Sequence, residues 1–210
     1  MPIILASTSP RRHELLALLG IPFNVEHPSF NERLETDCPA IEQVRSFAQG
    51  KAQSVARQEP KAIVLGSDTV IELDHDVIGK PVDLTDARAM LQRLAGRDHR
   101  VHTAVAVVCS ARIIDTVAFS TTVVRMKPFD TLAHERYLAI GESLGKAGAY
   151  SIQGEGGALI DSIDGDFPNV VGLPLRLVAQ LLLQVGVKVP INLDELYAMK
   201  PYANWARFSV

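Results

Sequence analysis

Residues 5–16, Leu-Ala-Ser-Thr-Ser-Pro-Arg-Arg-His-Glu-Leu-Leu, constrain this chain more than any other stretch. The apolar run Pro2 to Leu5 fits a buried strand, and it gives way at once to a helix start. Ser9 suits the N-cap and Pro10 the first helical position. Leu15, Leu16 and Leu19 form one apolar face, and Gly20 can close the helix in a left-handed cap. Arg11 and Arg12 run against this logic, because the positive end of the helix dipole disfavours cations by ~0.3–1 kcal/mol each. The hydroxyls of Ser7, Thr8 and Ser9, the free backbone N–H groups and two guanidiniums together make an anion site, most naturally for phosphate. The plainer alternative is an exposed cap with solvated arginines.

Downstream, the hydrophobic periodicity alternates between strand and helix. Phe23 to Val25 reads as a short strand, and residues 28–39 as a polar loop carrying Glu32. Residues 40–58 read as a helix with Ile41, Val44, Phe47 and Ala48 on one side and Lys51 further along, closed by Pro60. Ala62 to Leu65 is a continuous aliphatic run, as in a strand buried on both faces. Gly66-Ser67-Asp68-Thr69 follows, then a second short strand, Val70 to Leu73. The turn at 74–76 brings the chain back through Gly79-Lys80-Pro81. A helix over 83–94 precedes two β-rich runs, 101–109 and 113–124, joined as a hairpin. Another helix spans 130–140. A glycine-rich segment over 141–157 leads to a strand near 158–163, and an apolar helix over 174–185 follows. The pattern predicts one α/β unit with a mixed sheet.

Composition narrows the function. A net charge of −3 gives no electrostatic footprint for duplex nucleic acid, so a phosphate site should be local and no stable nucleic-acid partner is expected. Cys38 and Cys109 lack the spacing of a metal cluster, and a disulfide between them is left open. The N-terminus carries no signal-peptide pattern, and no segment reaches the ~20 apolar residues of a membrane span. A cytoplasmic protein is the expectation.

Among the polar residues, Asp68 stands out. It follows a buried strand and a glycine, where open α/β sheets place ligand-binding groups. There a carboxylate can hold a divalent metal or take a proton from an attacking water; a turn cap is the alternative. Lys80 is held between a glycine and a proline like a phosphate contact, although a lone lysine is usually solvated. Lys51 reads by default as an exposed helical charge, and Glu32 gains meaning only if a metal needs a second carboxylate. Gln153 lies in a glycine-rich stretch that allows close backbone approach, and its amide can read a base edge. His99 and His102, three apart in a strand, face opposite sides and make a poor metal pair. No serine or cysteine nucleophile pairs visibly with a histidine.

Taken together, these residues resemble the Maf family of nucleoside triphosphate pyrophosphatases. The matching segments are residues 6–16, Lys51-Ala52, Gly66-Ser67-Asp68-Thr69-Val70, Gly79-Lys80-Pro81, residues 146–154 and residues 169–175, in family order. They lie within residues 1–187 and leave 188–210 as a C-terminal extension. The resemblance implies an elongated α/β fold, a mixed twisted sheet with flanking helices around a central cleft, similar to the inosine triphosphate pyrophosphatases. It implies cleavage between the α and β phosphates, with a divalent metal (Mg²⁺ or Mn²⁺), often in a homodimer. Asp68, Glu32, Lys51 and Lys80 would be catalytic, with Asp68 and Glu32 at the metal. Ser7, Ser9, Arg11, Arg12, Thr69 and Gln153 would bind the nucleotide. The set Arg11, Thr69 and Gln153 matches the branch that acts on dTTP and UTP rather than on 7-methyl-GTP. The rival from another class is a non-catalytic, nucleotide-binding regulator of cell division. Two departures stand out. Asn31-Glu32 replaces the family's usual Asp-Glu, which bears on metal binding by that loop. The extension also carries Tyr197, Tyr202, Trp205 and Phe208, which should pack onto a surface or a partner subunit.

Overall fold

The computed structural model describes residues 1–33 and 38–208. Its core is a seven-stranded mixed sheet. The first strand, β1 (Ile3–Ala6), pairs in parallel with β2 (Asn24–Glu26) on one side and β3 (Ile63–Leu73) on the other. From β3 onward the sheet is antiparallel, through β5 (Asp98–Cys109), β6 (Ile114–Met126) and β7 (Ile160–Asp164). The short β4 (Asp76–Ile78) folds back on the end of β3.

Strand alternation sorts the interior into two clusters. Ile4, Ala6, Val64, Val70, Ala104, Ala106 and Val108 face α2 (Ala40–Ala56). Ile3, Leu5, Ile63, Leu65, Val105 and Val107 face the larger cluster. That cluster takes the apolar faces of α1 (Pro10–Ala17), α3 (Leu84–Leu94), α4 (Thr131–Ile140), α5 (Phe167–Val171) and α6 (Leu175–Gln184). Asp83 and Asp130 cap α3 and α4 through their side chains, and Gly20 and Gly141 adopt left-handed backbone after α1 and α4. A last helix, α7 (Leu193–Met199), lies in the C-terminal extension and packs on the same large cluster.

The structure corrects one expectation that matters for the site. Residues 62–73 do not form two strands around a polar turn; β3 runs unbroken for 11 residues. Its pairing with β5 is continuous from Val64 opposite Val108 to Glu72 opposite Arg100. Ser67, Asp68 and Thr69 stay in the strand because each side chain has a polar partner, so a polar run need not leave the ladder. Both cysteines are free thiols, and His99 and His102 are separately bonded, to Tyr150 and to Thr121 and Glu72. The loop expected over 28–39 includes residues 34–37, which lie outside the described residues. Among the described residues no helix is long and apolar enough to cross a membrane.

Candidate active site

The register of the sheet sets the position of the site. Pairing of β1 with β3 stops at Ala6 opposite Gly66, while β3 continues. Asp68 therefore lies just past the carboxyl end of a parallel strand, where the N-terminus of α1 also begins, although it is itself in mid-strand. Alternation along β3 then divides the labour. Gly66 and Asp68 face α2, while Ser67 and Thr69 face the opposite layer.

On the α2 side, Gly66 is the contact that makes the site. A Cβ there would fall 2.2 Å from the Ala48 carbonyl oxygen and 2.8 Å from the Ala52 nitrogen, so only glycine admits α2 this close. The approach buries Lys51 against the strand, where its ammonium donates to Asp68 Oδ1 at 2.5 Å and pairs with Glu32 Oε1 at 2.7 Å. Glu32 is brought in by its neighbour Phe30, whose ring packs on Gly50 and Phe47 of α2. Lys80 reaches to 4.0 Å from the other Glu32 oxygen. Burial alone would raise the Glu32 carboxyl. The Lys51 hydrogen bond and the charges of Lys51, Lys80 and Arg12 outweigh it and hold the group below its ordinary value.

On the opposite side, Arg12 is largely but not fully buried, and braced. Its Nε donates to the Gly172 carbonyl at 2.9 Å and its NH2 to Thr69 Oγ1 at 3.1 Å, with Asp68 Oδ1 4.0 Å away. Thr103 donates to the Asn169 carbonyl, so Thr69 in turn donates to Thr103. Burial lowers the Arg12 guanidinium, with Asp68 and Glu32 acting against it; it remains a cation. Ser9 occupies the N-cap without a side-chain cap bond; its N–H donates to Ser7 Oγ at 3.1 Å. The Ser7 carbonyl is held by the His13 ring at 2.9 Å.

Ser9, Arg12, Glu32, Lys51, Asp68, Thr69 and Lys80 line one cavity of about 580 Å³, a volume suited to a nucleotide-sized ligand. Over residues 2–185 the chain matches the family model described as Maf-like protein. The chain belongs to the Maf family. Two similar Maf relatives are the dTTP/UTP pyrophosphatases of Symbiobacterium thermophilum and Moorella thermoacetica. The first is 48% identical over 89% of this chain and 95% of its own length. The second is 44% identical over 89% of this chain and 96% of its own. The dTTP/UTP pyrophosphatase of Bacillus velezensis is 40% identical, over 89% and 97%. Among solved structures, that of the Staphylococcus aureus Ham1 protein covers 60% of this chain and 72% of its own, at 14% identity and a TM-score of 0.44, a likeness that carries no conclusion.

Within this Maf cleft, every site residue expected from the sequence lines the cavity except Ser7, whose buried hydroxyl is spent on the Ser9 N–H. The cleft also contains Glu142 and Lys146, which periodicity did not single out because both lie in irregular turns. The Gly148 N–H bonds the Gly79 carbonyl at 3.0 Å, tying the turn after Lys146 to the one before Lys80. Burial lowers the Lys146 ammonium, as do the charges of Arg11 and Lys80. Asp68 and Glu32 offer hard oxygen donors of the kind Mg²⁺ and Mn²⁺ prefer. Among the described residues no cluster of three His, Cys, Asp or Glu could hold an ion alone. Two carboxylates completed by substrate oxygens and water still suit Mg²⁺, so the residues present fit such an ion.

Proposed function

We propose that this protein is a nucleoside triphosphate pyrophosphatase that hydrolyses dTTP and UTP to the monophosphate and pyrophosphate. The observation that carries the reading is the pairing of opposite charges in one cleft. Arg11, Arg12, Lys51, Lys80 and Lys146 suit a triphosphate, while Asp68 and Glu32 among them would only repel one that is merely stored. The names of the curated relatives agree with this reading.

In the reaction, water attacks the α-phosphorus, the bond from that phosphorus to the bridging oxygen breaks, and pyrophosphate leaves. Asp68 takes the proton from the water, and Lys51 and Arg12, which both approach its Oδ1, hold the carboxylate in place. Arg11, Lys80, Lys146 and the N–H groups at the start of α1 meet the charge that grows on the leaving group. A divalent ion held by Asp68 and Glu32 would add Lewis-acid charge at the phosphate oxygens. At the base, the amide of Gln153 can both donate and accept, which suits the O4 and N3–H edge of uracil or thymine. A cytoplasmic homodimer belongs to the same reading.

The test is one assay. Purified protein with Mg²⁺ or Mn²⁺ should release pyrophosphate, not orthophosphate, with highest kcat/KM on dTTP and UTP among dTTP, UTP, CTP, GTP and 7-methyl-GTP. Preference for 7-methyl-GTP would place the chain in the other branch. No turnover of any nucleotide with either metal would leave only a binding role.

A further inference from the structure

Arg12 is held by residues that the cleft itself does not contain. Two of its three guanidinium nitrogens are spent on the protein, Nε on the Gly172 carbonyl and Nη2 on the Thr69 hydroxyl. Nη1 makes no hydrogen bond among the described residues, and Arg12 lines the cavity. Both bonds lead back to α5. Gly172 ends that helix at φ 121°, a backbone that favours glycine, and a Cβ there would stand 3.2 Å from Thr69 Oγ1 and 3.4 Å from Arg12 Nε.

A helix leaves its last carbonyls without backbone partners, and here the side chains of the sheet take them. Thr103 of β5 donates to the Asn169 carbonyl at 2.8 Å, and Ser67 of β3 joins Arg12 on the Gly172 carbonyl at 3.0 Å. The helix is itself stapled to the sheet. The Asn169 amide donates to the Val101 carbonyl and to Thr122 Oγ1, both at 3.0 Å, and Thr122 Oγ1 also accepts from the Asp166 N–H at 2.9 Å. Ser67, Thr103 and Asn169 are fully buried, and none of them lines the cavity.

The protons along this chain run one way. A carbonyl can only accept, so the Thr103 proton goes to Asn169. The contact of 2.9 Å between the two threonine hydroxyls then takes the Thr69 proton, which leaves the Thr69 oxygen as the acceptor for Arg12. Without Thr103 behind it, the Thr69 hydroxyl has no fixed direction and Nη2 loses a dependable acceptor.

We propose that Thr103 is a positioning residue for the pyrophosphatase reaction. It fixes Thr69 as the acceptor that, with the Gly172 carbonyl, sets the plane of the Arg12 guanidinium and leaves Nη1 for a phosphate oxygen. The inference rests on the reading that Arg12 meets the triphosphate. A guanidinium that swings keeps its charge and still attracts the substrate, but it is no longer aimed where charge grows in the transition state. The effect therefore falls on kcat rather than on KM.

The experiment measures kcat and KM for UTP in Thr103→Val, Thr103→Ser, Arg12→Ala and the Arg12→Ala, Thr103→Val pair. Valine keeps the shape and removes the hydroxyl; serine keeps the hydroxyl and removes the methyl. Losing a donor to the transition state costs about 10²–10³ in kcat, the loss expected of Arg12→Ala. Thr103→Val only loosens that donor, so kcat should fall about tenfold with KM within about threefold, and Thr103→Ser should keep both within about threefold. In the Arg12→Ala background Thr103→Val should add nothing. Full kcat in Thr103→Val, an equal loss in Thr103→Ser, or a loss that persists without Arg12 would each overturn the inference while a crippled Arg12→Ala upholds the reading of Arg12. An Arg12→Ala protein with native kinetics, or an unmodified protein that does not turn UTP over, removes that reading and the inference together. Thermal melts report folding. If Thr103→Val does not fold, Thr69→Val decides, by the same loss of kcat alone and none added in the Arg12→Ala background.

Discussion

Asp68 is asked to be both base and metal ligand, and its surroundings fit either task because two cations approach one of its oxygens and a strand holds it rigid. Asp68→Asn keeps the shape and removes the charge. Turnover should fall by ~10²–10⁴, the scale of a lost general base, with the fold intact. Near-normal kcat would make Asp68 a structural partner of Lys51 and move suspicion to Glu32. Lys51 answers to a different measurement. Lys51→Met leaves Asp68 and Glu32 without the ammonium between them, and breaking a buried pair from one side costs about 3 kcal/mol or more. Urea unfolding should show that loss as a lower midpoint at unchanged m-value, together with lost activity. The residue types of this site were readable in the chain, since a helix start with two arginines is a poor structural cap. Their partners were not. Nothing in the spacing from Lys51 to Asp68 announces a buried contact, and a lysine on a helix reads as solvated until Gly66 is known to draw the helix down.

That contact between α2 and β3 is the element-scale determinant. Gly66→Ala would set a Cβ 2.2 Å from a helix carbonyl that has no room to retreat. Overpacking of this kind costs about 1–3 kcal/mol. In a chain of this size that lowers Tm by about 2–4 °C for each kcal/mol, and the separation should weaken catalysis beyond the stability loss by lengthening the reach from Lys51 to Asp68. A variant with native Tm and native kcat would show that the helix packs more loosely than the contact implies. Element types were largely legible, because α1, α3 and α6 carry apolar faces and α3 and α4 start on aspartate caps. The failures share a cause. The unbroken β3, the five-residue α5 and the terminal α7 depend on partners distant in sequence, such as the Gly172 carbonyl that serves both Ser67 and Arg12. Local pattern cannot register such partners.

For the molecule as a whole, the extension reads as aromatic and in need of cover, and it finds that cover on its own chain, leaving a pH signature. Asp166, at the N-cap of α5, shares a second cavity with Arg176, Tyr197, Trp205 and Phe208, so the docked extension helps remove it from water. Burial pushes its carboxyl up to about 6, against the opposing charge of Arg176, and its Oδ1 has no hydrogen-bond partner among the described residues. His99, in the main core against Tyr150, moves the other way, lowered to about 4 by burial. The two act oppositely on stability. The folded state binds the Asp166 proton more tightly than the unfolded chain, so that contribution is complete below the ordinary value of 3.8 and is lost as pH rises through about 6. His99 binds its proton less tightly when folded, so its contribution is complete above the ordinary 6.5 and is lost as pH falls toward about 4. Asp166→Asn separates them, since it keeps the shape and removes only the first. The difference in Tm between Asp166→Asn and the unmodified protein should move in favour of the variant by several degrees between pH 4 and pH 7.5. Both proteins should keep the loss below pH 6.5 that His99 imposes. A difference that is flat with pH would mean that Asp166 stays ionised and hydrated, and that the extension does not seal it from water.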